Sequence, residues 1–406
     1  MSKLTKPLLL GLSLILVTFT IAGGLGFGVK ASTDDGAYRQ MGVYSEVLSH
    51  IKQDYVEEPN ITAVTDGALH GLLESLDANS SYLTAPEYKQ YKDLKLSKGQ
   101  IGAAISKRYG YAAVVAVTPG GPADKAGLKN GDIIEAIQGK STRIMSLAEI
   151  RGILTGAVGS NVDVSVIRPS KADPVKITIT RDVVKPTPVT TKLMDASIGY
   201  IHVQGFPKGR AEEIAAAVKD LQKQGAKKLI LDLRNSGDGD EAEGIATANL
   251  FLDKGIITYL EGQKYPKEMF NADPAKQITK LPVVVMVDRS SAGPAEIVAD
   301  AIKDNKRGDV VGDKTFGSGS IQKLIELQDG SALILSVAKY YSPDGKAIQD
   351  VAVTPNFLVS NNNNDDFVSP DEDQSVTTPG TEQKNQTDEQ LQRAIEVLNS
   401  KDQKAA

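Results

Sequence analysis

The chain has 406 residues, enough for two or three domains with hydrophobic cores. Its formal net charge of -5 gives no basis for a nucleic-acid partner. It has no cysteine, which excludes disulfides and thiolate chemistry, and His50, His70 and His202 are scattered without ligand spacing. We therefore predict no metal site, no histidine-based catalytic triad and no cofactor.

Residues 1–31 have the composition of a targeting segment. Lys3 and Lys6 precede an uncharged run at 7–29, which is long enough to cross a bilayer as a helix. The positive flank predicts a cytoplasmic N-terminus and export of the remainder to the periplasmic side of the cell envelope. Residues 29–31 also fit a signal cleavage site, so cleavage stays open, although we favour a single uncleaved transmembrane anchor.

A small helical lead-in is predicted at 37–95. Apolar residues recur with helical period at 38–55 and again at 65–76. Residues 77–83 read as a turn, after which Pro86 suits the start of a short third helix. We expect these helices to pack and assign them no chemistry.

The segment 96–182 is predicted to be a small β-rich domain. Gly131 and Asp132 form a turn before a strand, and Gln138 with Gly139 suits a tight hairpin turn. Alternating apolar residues at 162–167 and 175–180 predict half-buried strands, and 147–154 reads as a helix.

From residue 190 to 358 strands and helices alternate, the pattern of an α/β layer. Two features at 281–322 stand out: the unbroken apolar run 283–287 predicts a buried strand, and Pro294 suits the first turn of a helix. A strand that leads through a turn into a helix N-terminus is a natural position for a reactive group. The other elements are predicted as strands at 198–203, 229–233 and 309–312 and helices at 211–222 and 243–252.

The tail comprises three predicted parts. Residues 351–358 read as a closing strand, which Pro355 would restrict to the edge of a sheet. Residues 359–388 are polar and are predicted to be a disordered linker. Residues 389–400 read as an amphipathic helix, so the whole chain is predicted to have a multidomain α+β fold.

Residues 96–182 resemble a PDZ domain through an ordered set of motifs. These are GGPA at 120–123, AGL at 126–128 and NGDII at 130–134. PDZ domains bind a peptide C-terminus as an added strand, with backbone N–H groups on its carboxylate. The resemblance therefore implies a peptide site that faces the helix 147–154 and contains Gly99, Gln100, Ile101, Gly102, Ala103 and Ile150.

The remainder resembles the C-terminal processing, or tail-specific, serine peptidases. The resemblance rests on AEI at 295–297, GDKTFG at 312–317 and GSIQ at 319–322, together with the lead-in and PDZ motifs. In that family a nucleophilic serine precedes the glutamate by three residues and a lysine base follows Thr-Phe-Gly. Those positions hold Gly293 and Ser318 here, whereas Gln322 matches a supporting glutamine. The family's oxyanion loop has two glycines after a proline, where this chain has 237–239, Gly-Asp-Gly.

These departures give three hypotheses. The leading one is an exported pseudopeptidase that binds protein C-termini or unfolded segments as a scaffold or adaptor. The second is an active serine endopeptidase of this family that has recruited Ser291 or Ser290, with Lys314 as a base. The third is a structural subunit that regulates an active peptidase relative by co-assembly.

Overall fold

The computed structural model describes residues 35–94, 98–168, 173–360 and 388–405. The chain divides into two compact units, residues 1–68 and 69–406. Helices in the described ranges are α1 (Asp35–Asp54), α2 (Ile61–Glu74), α3 (Ala85–Leu94), α4 (Pro122–Lys125), α5 (Leu147–Leu154), α6 (Arg210–Lys223), α7 (Glu241–Asn249), α8 (Pro294–Asp304), α9 (Ile348–Val351) and α10 (Glu389–Ala405). Strands are β1 (Ser81–Leu83), β2 (Ala103–Arg108), β3 (Tyr111–Val117), β4 (Ile133–Ile137), β5 (Lys140–Ser141), β6 (Asn161–Ile167), β7 (Val175–Thr180), β8 (Thr190–Met194), β9 (Ile198–His202), β10 (Lys228–Asp232), β11 (Ile256–Glu261), β12 (Glu268–Asn271), β13 (Val283–Val287), β14 (Asp309–Gly312), β15 (Ser320–Glu326), β16 (Ala332–Tyr341) and β17 (Phe357–Leu358).

The first two lead-in helices form where helical periodicity predicted them, within four residues at each end. The apolar stripe of α1 is not buried, since Tyr38 and Met41 are 70% and 68% exposed. No helix in the described ranges is long and apolar enough to cross a membrane. The predicted anchor at 1–31 lies outside those ranges.

The PDZ domain is an antiparallel sheet in the order β2-β3-β4-β6-β7, with β5 paired to β4. Gln138 and Gly139 both have positive φ, as the predicted hairpin turn requires. Helix α5 begins with a capping box, in which the Ser146 hydroxyl accepts from Glu149 N and the Glu149 carboxylate accepts from Ser146 N. The sheet and α5 bury a core that includes Ile134, Ile150 and Val164.

The peptidase-like core contains two sheets. One has the order β17-β14-β13-β10-β9-β8 and is parallel except for β8, and the other is antiparallel in the order β1-β16-β11-β12, with β15 paired to β16. The central strands β10 and β13 are buried on both faces, which explains their apolar runs. One face packs on a cluster that includes Val285 and Ile297, and the other packs on α10.

Two predicted segments need correction. A strand over the whole of 351–358 is wrong: only Phe357–Leu358 pairs, at the sheet edge, and Ile348–Val351 is helical. Pro355 has no N–H to donate, and the side chains of Thr315 and Asn356 accept from Val353 N and Val310 N. The predicted turn at 77–83 contains β1, which pairs with β16 and is too short to show alternation.

The predicted final helix is found as α10. Ala394, Val397 and Leu398 are buried against the outer face of the parallel sheet, and Arg234 binds Asp388 through paired hydrogen bonds. The predicted linker lies outside the described ranges at 361–387. Helix α10 therefore completes the core by covering an apolar sheet face.

We predict that Leu398→Ala lowers the free energy of unfolding by about 3 kcal/mol, because the removed side chain is fully buried. Urea unfolding measures this loss. The matched control is Glu396→Ala on the exposed face of the same helix, which should change stability by less than about 0.5 kcal/mol. Equal effects of the two substitutions would show that α10 does not pack on the sheet.

Candidate active site

The backbone bends sharply at Gly293, between β13 and α8. Gly293 has φ 57° and ψ -114°, a conformation that strains any residue with a side chain. A Cβ built there would meet no heavy atom closer than 3.9 Å, the distance to Ser318 O. This strand–turn–helix position thus has the strained backbone and open space of a nucleophile elbow, without a nucleophile.

The carboxylate of Glu296 holds this bend and the loop that faces it. Glu296 is fully buried and accepts hydrogen bonds from Gly293 N at 3.0 Å and from Gly317 N and Ser318 N at 2.8 Å each. The Thr315 hydroxyl donates a fourth bond. Burial raises the pKa of Glu296 to about 7, against the opposing effect of these donors. One buried carboxylate therefore fixes Ser318 beside Gly293.

Ser318 occupies the position of the expected base and lines a cavity of about 460 Å³, hereafter the central cavity. Its hydroxyl cannot act as a base near neutral pH in the way a neutral lysine amine does. The structure brings the two family positions together, yet neither side chain supplies the chemistry of a serine–lysine pair. Gly293 and Gln322 line the same cavity.

Residues 237–239, in the loop after β10, also line the central cavity. Gly239 has φ 139°, and a Cβ there would lie 2.5 Å from Phe206 N, so only glycine fits. Asp238 lines the cavity, and its Oδ1 accepts from Gly239 N at 2.9 Å. This carboxylate accepts the hydrogen bond of the Gly239 N–H and adds negative charge to the loop. An oxyanion hole needs N–H groups that are free to donate.

Gln322 belongs to a polar network that reaches the lead-in. Its Nε2 donates to Ser320 Oγ at 2.8 Å, and Asn79 Nδ2 donates to the same oxygen at 3.1 Å. Asp77 accepts from Ser80 and Ser336, which ties the turn before β1 to β16. Asn79 also lines the central cavity, although the sequence analysis assigned its segment no chemistry.

The alternative nucleophiles lie elsewhere. Ser291 is fully buried, and its hydroxyl donates to Leu233 O at 2.8 Å and accepts from Asp288 N at 3.0 Å. Neither Ser291 nor Ser290 lines the central cavity, and Lys314 is exposed and outside it. The geometry argues against recruitment of these serines, because the Ser291 hydroxyl stabilises the turn after β13.

That turn is organised by Asp288, which sequence reasoning missed. Its Oδ1 accepts from Asn235 N at 3.1 Å and from Ser290 N at 2.9 Å, so it joins the turn to the loop after β10. Burial raises the pKa of Asp288 to about 6. The signal in the sequence is an aspartate that begins a turn and bonds two residues onward.

Four of the six predicted peptide-site residues line the central cavity, and two do not. Gln100, Ile101, Gly102 and Ala103 line the central cavity, which therefore joins the PDZ groove to the Gly293 bend. The site residue Gly99 pairs with Gly156 in an isolated bridge, outside the cavity lining.

The site residue Ile150 is fully buried in the PDZ core, and its helix neighbours Arg151 and Leu154 line the cavity instead. Arg151 Nη2 crosses the groove to donate to Ile105 O at 3.0 Å. Burial lowers the pKa of Arg151, an effect that the charge of Asp238 opposes.

The fold and cavity define a PDZ-containing protein with a serine-peptidase-like core. Models of peptidase family S41 and of a PDZ domain match residues 197–359 and 114–168. The chain belongs to peptidase family S41, among relatives of the C-terminal processing proteases. Among the described residues, no group of three or more acidic or histidine side chains is placed to hold a metal ion.

Individual relatives cover most of the chain. It is 31% identical to the carboxy-terminal processing protease CtpA of Bacillus subtilis, over 84% of this chain and 75% of that protein. It is 33% identical to a carboxyl-terminal-processing protease of Picosynechococcus, over 97% of each. The solved photosystem II D1 C-terminal processing protease has a TM-score of 0.65 and 27% identity, over 79% of this chain and 93% of that one.

We predict that the chain is more stable at pH 5.5 than at pH 8. Glu296 and Asp288 have folded-state pKa values near 7 and 6, above their unfolded values, so the folded chain binds protons more tightly. Their stabilisation is complete below the unfolded pKa and is lost as pH rises through the folded pKa. For Glu296 alone this amounts to about 2 kcal/mol between the two pH values.

Urea unfolding at the two pH values tests this dependence. Glu296→Gln should reduce the difference in the free energy of unfolding between pH 5.5 and pH 8, whatever its effect on absolute stability. The control is Glu396→Gln on an exposed helix face. An unchanged difference in Glu296→Gln would contradict the assignment of the titration to this buried carboxyl group.

Proposed function

We propose that this chain is an exported pseudopeptidase of the S41 family that binds protein C-termini or unfolded segments as a scaffold or adaptor. The observation that carries the proposal is the pair Gly293 and Ser318, held next to each other by Glu296 at the bend. Serine–lysine catalysis requires a hydroxyl beside a neutral amine, and this pair contains neither in the needed place.

The surrounding backbone supports the same proposal. Gly239 N donates to the Asp238 carboxylate and Gly293 N donates to Glu296, so both N–H groups already have anionic acceptors within the chain. A tetrahedral intermediate would meet the charge of Asp238 in place of a free donor. Asp238 therefore opposes transition-state stabilisation in a cleft that already lacks the nucleophile.

Peptide binding has independent support in the shape of the cleft. The central cavity is lined by PDZ residues on one side and by residues of the core on the other. An extended peptide added to the β2 edge would follow this cavity. Binding requires none of the missing catalytic groups, so loss of chemistry leaves this activity possible.

Export is the second part of the proposal. Its basis is the uncharged run at 7–29 behind Lys3 and Lys6, which predicts a cell-envelope location with a membrane anchor. Protease treatment of intact cells, with and without outer-membrane permeabilisation, tests this placement. Co-assembly with an active peptidase relative is a further partner proposal, which co-purification with a tagged active relative would test.

We predict that the full chain binds unstructured polypeptides with apolar C-termini and leaves them uncut. A peptide with a free C-terminal carboxylate should bind at least about tenfold more tightly than its C-terminal amide, because the PDZ backbone donors require an anion. Fluorescence anisotropy measures binding, and gel analysis of the same samples measures cleavage. Equal affinity for both peptides would contradict C-terminal recognition, and cleavage that Ser291→Ala abolishes would contradict the pseudopeptidase proposal.

We predict that Gly293→Ser, Ser318→Lys and Asp238→Gly together create peptidase activity. The double variant that keeps Asp238 should be about a hundredfold slower, the usual cost of a lost oxyanion donor. The matched control replaces Gly293 by Ala in the triple variant, which brings the same backbone strain without a hydroxyl. A folded triple variant without activity would show that the cleft has lost more geometry than these three side chains.

A further inference from the structure

A second pocket opens from the central cavity between three parts of the larger unit. It has a volume of about 370 Å³, within the range of roughly 300–1,000 Å³ that ligand pockets occupy. Helix α3 of the lead-in, helix α5 of the PDZ domain and strands β15 and β16 of the core contribute its walls. We call it the α3–α5 pocket.

The α3–α5 pocket and the central cavity are continuous. Five residues line both: Asn79, Gln100, Arg151, Thr155 and Gln322. All five are polar or charged, so the junction offers hydrogen-bonding groups to a peptide backbone that passes through it. A ligand in the central cavity can therefore extend a side chain into the pocket without leaving the cleft.

Beyond the junction the pocket is apolar. Its remaining walls are Tyr91, Leu94, Leu147, Ala148, Gly152 and Ile334. Among the described residues that line it, Arg151 alone is charged, and that guanidinium already donates to Ile105 O. Burial of an apolar side chain is favoured here, whereas a carboxylate or ammonium would lose its hydration without a paired charge.

The far wall is held at a fixed separation by close helix packing. A Cβ at Gly152 would lie 2.9 Å from Leu94 Cδ1, so α5 and α3 approach each other closely at this glycine. Ala148 and Tyr91 pack with Ile334 against the Leu83–Tyr88 cluster. The pocket is therefore built from packed elements, which is the condition for selectivity by shape.

We infer that the α3–α5 pocket binds one apolar side chain of the polypeptide that occupies the central cavity, at a position upstream of its C-terminus. This inference rests on the proposed peptide-binding function and adds a second recognition point to it. The ligand class is an extended peptide that carries a leucine-sized apolar residue at a fixed distance from its free carboxylate.

The test uses the full chain and a set of fluorescein-labelled dodecapeptides of Ser, Thr and Gly with a free C-terminal alanine. A single leucine is moved along the peptide one position at a time, and anisotropy gives each affinity. We expect leucine to raise affinity about tenfold at one or two adjacent upstream positions and to have little effect elsewhere.

Three substitutions locate the effect. Ala148→Trp fills the pocket and should remove the increase in affinity that leucine provides. The affinity for the leucine-free peptide should stay the same. Lys125→Trp, exposed in the same domain and outside both cavities, is the matched control and should keep the increment. Ala148→Gln is a smaller filling substitution, and urea midpoints establish that each variant is folded.

The outcomes separate this inference from the proposed function. Binding that is equal for all leucine positions overturns the inference and leaves C-terminal recognition standing. A leucine-dependent increase in affinity that persists in folded Ala148→Trp and Ala148→Gln also overturns the inference. If no peptide binds at all, the proposed function fails, and the inference fails with it.

Discussion

The buried carboxylate of Glu296 is the constraint on which the arrangement of the cleft depends. It accepts from Gly293 N on the bend and from Gly317 N and Ser318 N on the facing loop, so one side chain sets the distance between the two segments. Burial of a carboxylate is costly unless donors surround it, and four donors do so here. The scaffold thus keeps the geometry of a two-residue reaction centre.

The backbone conformation of that centre is retained, but its reactive side chains are absent. Gly293 retains a backbone conformation that is costly for most residues, and Asp288 and Ser291 still stabilise the preceding turn. Such backbone strain is expected where a turn presents a nucleophilic side chain, yet Gly293 has no side chain. Meanwhile the cleft still runs from the PDZ groove to the bend and into the α3–α5 pocket. The cleft is therefore retained, whereas the side chains of the reactive pair are not.

Much of the fold could be predicted from the sequence. Strands 283–287 and 309–312 and helix 147–154 were predicted with their observed bounds. Burial on both faces gives the unbroken apolar run at 283–287, which is a clear local signal. The edge segment 351–358 was predicted poorly, since side chains of Thr315 and Asn356 replace its backbone pairing. No local pattern reveals such partners.

The site was predictable only in part. Resemblance identified Gly293 and Ser318 as the positions of the reactive groups, whereas the contact of Asn79 with Ser320 spans 241 residues and leaves no local trace. The PDZ resemblance placed Ile150 in the peptide site, but its side chain is buried in the domain core, and Arg151 reaches across the groove instead. Long side chains reach neighbouring faces, so a residue's face alone does not define its contacts.

We propose that this cleft binds polypeptide without hydrolysing it. The most direct measurement is a prolonged incubation of excess full chain with an unstructured polypeptide in ¹⁸O-labelled water, followed by mass spectrometry of all fragments. Hydrolysis by any nucleophile places ¹⁸O in the new C-termini. We predict no labelled terminus above the level of a heat-unfolded control, and labelled termini that disappear in Ser291→Ala would contradict binding without hydrolysis.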